Sequence, residues 1–343
     1  MVVREVERAS KALGLSGRRV LVAVSGGVDS TVLVHALAAV AAPRQMTLAI
    51  GHVDHGLRGA ASAADAEAVR ALGDALRLPV EVARADPRPL RLGCSSRDRP
   101  TLQEAARTAR YEALRTMARR FAADCVATAH TADDQAETVL MRLLRGTGPD
   151  GLGGIPERSP DGVVVRPLLR VSRAEIEAFA RDRGLEWRED ASNASPAYTR
   201  NRLRNDWIPK LASEFNPRLL RVVADLAEAL RRDAEWIESQ VVVEAQRRIE
   251  SDGKWLRIES EAWAQLPTSL SRRLLRLALQ RLGGGRHVAR VHLERMDEFL
   301  RAGRVGTVIE VPGGFQLERG SDGCRLGPRR PGVDPAVDAP GSC

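Results

Sequence analysis

Arg19-Val20-Leu21-Val22-Ala23-Val24-Ser25-Gly26-Gly27-Val28-Asp29-Ser30 is the stretch that decides the fold. Its first half, Arg19–Val24, is a run of uncharged apolar residues after one arginine and reads as a buried strand. Gly26-Gly27 then breaks the run, and Ser30–Ala41 follows as an apolar helix. A glycine-rich turn from a buried strand into a helix is where backbone N–H groups and the positive helix end hold phosphate oxygens. Gly26 and Gly27 allow close backbone approach, Ser25 and Ser30 offer hydroxyls, and Val28 sits within the loop. Asp29 is placed to hold Mg²⁺ against triphosphate charge. A plain turn in which Ser or Asp caps the helix shares this local pattern, so the surroundings must decide. The hexapeptide is not a Walker A loop: the spacing differs and the lysine is missing. Lysine occurs only at Lys11, Lys210 and Lys254 in the whole chain.

Outward from this loop, strand-like and helix-like segments alternate. Met46–Val53, Val80–Ala83 and Cys125–Ala129 read as strands; Ala63–Leu76, Thr101–Phe121 and Thr131–Leu144 read as helices. Uncharged strands alternating with helices predict an α/β fold, a doubly wound, Rossmann-like parallel sheet covered on both faces. Gly146–Gly154 is a glycine-rich break, followed by a short strand at Val163–Arg166 and a helix near Ser172–Arg183. Trp187–Arg204 is a polar, arginine-studded stretch. Asn216–Ile249 is helical and charged, and 250–320 mixes helices (Ser269–Leu282, Val288–Leu300) with strands (Val305–Val311, Phe315–Glu318). The expected organisation is a catalytic domain over 1–213, a mainly helical linker over 214–250, a small α+β domain over 251–326 and a disordered tail over 327–343.

The bulk properties fit that plan. At 343 residues, with 43% hydrophobic and 29% charged residues, the chain is long enough for a large and a small domain. The net charge of +8 and a sequence pI near 10.1 point to a polyanionic partner. Met1–Arg8 is charged and leads into no apolar signal segment, and no apolar run is long enough to span a bilayer. The expected location is the cytoplasm. Cys94, Cys125, Cys324 and Cys343 form no CxxC, so reduced thiols are expected rather than disulfides or a zinc site.

Several later segments carry chemistry. His52-Val53-Asp54-His55-Gly56-Leu57-Arg58 ends the second strand, at the sheet edge where ligands bind in such folds. It reads equally as a metal cluster or as polar residues leaving a strand. In AHTADDQAET (129–138), Thr131 and Asp134 have capping-box spacing, while His130, Asp134 and Glu137 stand at i, i+4 and i+7 on one face. Two aligned carboxylates there need a cation, either Mg²⁺ or a substrate ammonium. EAARTARY (104–111) places Arg107, Arg110 and Tyr111 on a helix, and RGTGPDGL (145–152) offers an arginine and backbone amides to an anion. Glu189–Asn193 and Tyr198–Arg204 are dense in hydrogen-bonding side chains suited to phosphates and base edges.

The Ser25–Ser30 loop resembles the SGGxDS loop of the N-type ATP pyrophosphatases. SGGVDS, HVDHGLR, EAARTARY, AHTADDQAET, RGTGPDGL, DASN and RNRLR, in this order over residues 19–210, resemble the tRNA(Ile)-lysidine synthetase family. The resemblance is looser over the C-terminal third. It implies an adenine nucleotide alpha hydrolase-like fold and an ATP-dependent ligase. Such an enzyme adenylates the wobble cytidine of the CAU-anticodon isoleucine tRNA and then joins free L-lysine to it. It further implies that Ser25, Gly26, Gly27, Val28, Asp29, Ser30 and His52 bind ATP, with Asp29 on Mg²⁺. Arg110 would meet charge at the α-phosphate, His130 would orient nucleotide or base, and Asp134 and Glu137 would receive the lysine ammonium. Arg200, Asn201 and Arg204 would contact the tRNA, and a homodimer is one expected assembly. The longer members carry a further C-terminal domain that this chain is too short to include fully. Arg84–Arg99 matches no family motif. The rival readings are a tRNA-thiolating ATP pyrophosphatase, which needs paired cysteines, an amide-forming relative acting on a small metabolite, and a non-catalytic RNA-binding relative.

Overall fold

The computed structural model describes residues 1–54, 60–92, 99–188, 199–260, 263–285 and 288–330. The chain divides into one unit over Met1–Arg231 and a second that begins at Arg232. In the first, the stretch around the glycine turn forms β1 (Arg19–Ala23) and α2 (Val28–Ala41), preceded by α1 (Val2–Ala12). There follow β2 (Thr47–Asp54), α3 (Ala60–Leu76), β3 (Val80–Arg84), α4 (Leu102–Arg120), β4 (Cys125–Ala127), α5 (Ala132–Leu144), α6 (Pro149–Leu152), β5 (Val164–Val165) and α7 (Arg173–Asp182). All four pairings of the sheet are parallel, in the order β3-β2-β1-β4-β5. The expected α/β class holds. The strand order reverses between β1 and β4, which puts the ligand crevice of such sheets at their carboxyl ends.

Alternation along the strands builds the two faces. Leu21, Ala49 and Val126 turn toward Leu114, Met117 and Ala118 of α4. Val20, Val22, Leu48, Ile50 and Ala127 turn the other way, toward residues of α1, α2, α3 and α7. α2 is apolar nearly all round because α1 and α7 pack on it as well as the sheet. At Gly51 a Cβ would meet Met117 Sδ at 3.1 Å and Leu21 Cδ2 at 3.2 Å, so glycine lets α4 lie close on β2.

Three features were not read from the sequence. The charged N-terminus is helical: Val2, Val6 and Ser10 are buried one turn apart, and this thin stripe is all that α1 needs against α2. The glycine-rich break contains α6, and Arg142 Nη1 donates to the carbonyls of Gly151 and Gly154 at 2.8 Å each, tying the turn to α5. The end of the arginine-studded stretch is helical rather than irregular. It forms α8 (Thr199–Arg202), a wide i→i+5 turn over Leu203–Trp207, and α9 (Ile208–Glu214). Buried Leu203 and Ile208 anchor it; their spacing of five fits the wide turn and hid the helix from a 3.6-residue pattern.

α10 (Leu219–Arg248) leads into the second unit. There β6 (Ile249–Asp252), β7 (Trp255–Ile258), β8 (Val308–Val311), β9 (Phe315–Gly320) and β10 (Gly323–Pro328) form an antiparallel sheet ordered β6-β7-β10-β9-β8. Its core, with α11 (Thr268–Arg281) and α12 (Arg290–Ala302), is built on Trp263, Leu274, Leu275, Leu300 and Leu317. β6, β7 and β10 were not read from the sequence, and β10 reaches Pro328, inside the span expected to be disordered. The rest of that tail, 331–343, lies outside the described residues. No helix among the described residues is long and apolar enough to cross a membrane.

Candidate active site

The glycine turn after β1 is held in shape by its own side chains. Gly26 has φ +92°, a left-handed value that favours glycine, and its carbonyl accepts from Arg188 N at 3.0 Å. Ser30 Oγ donates to the Gly27 carbonyl at 2.9 Å and accepts from Ser25 N at 3.1 Å, with Ser25 Oγ 3.2 Å away. No side chain caps α2. The plain capping turn is therefore not what this loop is, and the first-turn amides of α2 remain available to an anion. His52, buried at the end of β2, bonds through Nδ1 to the Val24 carbonyl at 2.8 Å and so ties the second strand to the loop. Asp54 lies on the same strand, and His55–Arg58 fall outside the described residues.

Asp29, in the first turn of α2, accepts from Arg173 Nη1 at 2.8 Å through Oδ2, while Oδ1 is buried and has no hydrogen-bond partner. Burial, opposed by Arg173, pushes its carboxyl up to about 6. An unpaired carboxylate oxygen beside a phosphate-type loop fits a divalent cation. Among the described residues no group of three His, Cys, Asp or Glu side chains could hold a metal alone, so phosphate oxygens would have to complete its shell. Arg173 was not singled out in the sequence; its backbone N–H also donates to Asp133 Oδ2 at 2.7 Å, joining the starts of α5 and α7.

At the start of α5 the two readings of the AHTADDQAET segment prove to be one arrangement. Asp134 Oδ2 completes the capping box, accepting from Thr131 N at 3.0 Å and Thr131 Oγ1 at 3.1 Å. Its other oxygen, Oδ1, accepts from Arg200 Nη2 at 2.7 Å and Arg204 Nη2 at 3.3 Å. Glu137, only 1% exposed, accepts from Arg200 Nε at 2.7 Å and Arg204 Nη2 at 3.0 Å, and also from Arg204 Nε. Asp134 and Glu137 thus share a face as their spacing required. The residues expected to meet RNA are seated on those expected to meet an amine. Burial raises the Asp134 carboxyl, yet Arg200, His130, the Thr131 amide and Arg204 together hold it below its ordinary value. Asn201 lies in the same short helix as Arg200.

His130 precedes α5, with Nδ1 3.0 Å from Thr128 Oγ1. Burial, opposed by Asp134 and helped by the Arg166, Arg107 and Arg110 charges, pushes its imidazole down to about 3, so the ring is neutral near pH 7. Arg110 stacks beside Tyr111, its guanidinium carbon 5.5 Å from the ring centroid. Arg166, immediately after β5, is buried; Nη1 donates to the Pro156 carbonyl at 2.7 Å and Nε has no partner. Neither Arg110 nor Arg166 forms an ion pair among the described residues. Two desolvated guanidiniums without carboxylates make a site for an anion. Arg166 carried no motif signal; its place at the carboxyl end of a strand was the available clue.

Among the described residues the cysteines offer no paired thiols. Cys125 and Cys324, the two among the described residues, are buried in different units, and burial pushes the Cys125 thiol up to about 11.

Comparison with known proteins gives matches to both units. Residues 2–211 match the PP-loop domain and residues 259–321 match the TilS substrate binding domain. A tRNA(Ile)-lysidine synthase of Solibacter usitatus is 40% identical over 91% of this chain and 68% of its own length. That of Symbiobacterium thermophilum is 35% identical over 94% and 68%. That of Thermosynechococcus vestitus is 35% identical over 88% and 84%. The U34-tRNA thiolase NcsA from Methanococcus maripaludis superposes with a TM-score of 0.53 at 19% identity, over 67% of this chain and 79% of its own, a likeness of fold alone.

Proposed function

The chain belongs to the tRNA(Ile)-lysidine synthase family, and from that premise we propose that it joins lysine to the wobble cytidine of the CAU-anticodon isoleucine tRNA, using ATP. O2 of the cytidine attacks the α-phosphorus of ATP and pyrophosphate leaves. The ε-amine of lysine then attacks C2 and loses a proton, and the C2–O2 bond breaks so that AMP leaves carrying that oxygen.

Each part of the site has a task in this reaction. The amides at Gly26–Ser30 and the start of α2 hold the phosphates, with Ser25 and Ser30 shaping the turn and His52 fixing it against β2. Mg²⁺, held by Asp29 Oδ1 and the phosphates, would offset the charge of the triphosphate. Arg110 and Arg166 face the negative charge that builds at the α-phosphate, in surroundings poor in water. Neutral His130 offers a hydrogen bond to nucleotide or base without adding charge. Asp134 and Glu137 receive the lysine ammonium and accept its proton as the amine becomes nucleophilic. Arg200, Asn201, Arg204 and the second unit bind the tRNA, in keeping with the net charge of +8.

The observation that carries this reading is the buried Asp134–Glu137 pair beside the phosphate loop. It already accommodates cationic heads, since two guanidiniums are hydrogen-bonded to it. Among the described residues the thiolase reading finds no paired thiols, because burial pushes the Cys125 thiol up and Cys324 lies in the other unit. Incubating the protein with total bacterial tRNA, Mg²⁺-ATP and radiolabelled lysine tests the proposal. Label on a single isoleucine tRNA is expected; no incorporation into an intact tRNA pool refutes it.

A further inference from the structure

We propose that Arg200 and Arg204 latch the amine site: their guanidiniums occupy Asp134 and Glu137 until bound tRNA draws them to its phosphates, so that lysine is admitted only once tRNA is present. The inference rests on the reading of Asp134 and Glu137 as the lysine-binding pair.

The count of acceptors carries the argument. Of the four carboxylate oxygens, Asp134 Oδ2 is committed to the helix start through Thr131. The other three, Asp134 Oδ1 and both oxygens of Glu137, all accept from Arg200 or Arg204. A lysine ammonium has three N–H donors and needs those same oxygens. Two guanidiniums also neutralise two carboxylates, so an added ammonium would be desolvated without net attraction. Lysine must therefore replace the guanidiniums rather than join them.

Replacement is feasible because the two sides of the contact are unlike. Glu137 is 1% exposed and cannot be left without a cation. The Arg200 and Arg204 side chains are 38% and 42% exposed and arrive from 63 to 70 residues further along the chain. They stand on the four-residue α8 and the wide turn after it, and exposed Arg202 lies between them. A nucleic acid on this segment presents phosphates, which guanidinium groups bind in bidentate fashion. Each guanidinium that moves to a phosphate leaves a buried carboxylate in need of a cation, and the lysine ammonium supplies it. The coupling is reciprocal: lysine tightens tRNA binding by the factor by which tRNA tightens lysine binding.

Calorimetric titration of the full chain with lysine, without ATP so that no turnover occurs, tests this. It is run with and without an in vitro transcript of the CAU-anticodon isoleucine tRNA. Expected is lysine affinity roughly tenfold or more tighter with tRNA, and the same factor for tRNA affinity measured with lysine. Arg200→Gln/Arg204→Gln should bind lysine without tRNA about as tightly as the wild type does with it. Arg200→Lys/Arg204→Lys, which keeps two cations in place, should stay closed. If the glutamine variant is too unstable to titrate, lysine alone should raise its melting temperature but not that of the wild type. Equal lysine affinity with and without tRNA, in an enzyme that still makes lysidine, overturns the latch and leaves the lysine reading intact. Lysine incorporation at unchanged KM by Asp134→Asn/Glu137→Gln overturns the reading itself, and the latch with it.

Discussion

Each unit buries a carboxylate bound by arginine, but the two bonds are built for different purposes. In the second unit Asp297, 5% exposed, accepts from Trp263 Nε1 at 2.9 Å and from Arg301 Nε at 3.0 Å. Arg301 lies one turn along the same helix and is itself fixed, donating to the carbonyls of Ala264 and Leu266 at 2.9 and 3.0 Å. Every partner belongs to the fold. In the first unit Asp134 and Glu137 are met by arginines from a distant segment, and among the described residues those guanidiniums form ion pairs with these two acids alone. A buried acid enclosed by its own helix and core is structural. One whose partner can leave is available to a substrate.

That contrast can be broken most forcefully at the first pair. Asp134→Asn/Glu137→Gln should lower lysine-dependent turnover roughly a thousandfold. ATP binding, followed by a fluorescent nucleotide analogue, should stay near that of the wild type; equal loss of both would make this pair as structural as Asp297. Asp297→Ala should do the reverse. It should destabilise the second unit by about 3–5 kcal/mol, because Arg301 is left without its acid, as read by denaturant unfolding, while the folded fraction, given tRNA, still exchanges pyrophosphate with ATP.

A smaller effect is expected at Asp29, whose carboxyl rises from 3.8 to about 6 chiefly through burial. Between those values the native state holds more proton than the unfolded one, so this group's contribution to stability falls as pH rises through the window. Asp29→Asn should therefore gain on the wild type by about 1–3 kcal/mol between pH 4 and pH 8, measured by urea unfolding. Mg²⁺ with ATP should narrow that gap at pH 8. The smallest effect is expected at Cys125→Ala, which should leave lysine incorporation unchanged; loss of activity without loss of stability would reopen the thiol chemistry.

Much of the first unit was legible because its signals are local. The apolar run of β1, the double glycine and the Thr131–Asp134 spacing each report their own neighbourhood. What stayed hidden depends on contacts across the chain. Arg166 and Arg173 look like any other arginine in an arginine-rich sequence until the sheet brings β5 and α7 beside the loop. The seating of Arg200 and Arg204 on Asp134 and Glu137 joins two motifs that, read separately, suit two different ligands. The antiparallel strands β6, β7 and β10 are short and interrupted by charge, and only their pairing in the second unit makes them strands.

The division of labour within the Asp134 carboxylate bears on which neighbouring sequences are reachable by drift. One oxygen sets where α5 begins and the other sets where a cation rests, so a single side chain serves as datum for both the backbone and the chemistry. Lengthening it by one methylene in Asp134→Glu keeps the charge and lets a cap re-form, yet moves the second oxygen by more than a hydrogen bond tolerates. The charge-preserving exchange and the charge-removing one then fail alike, and the position is walled off on both sides.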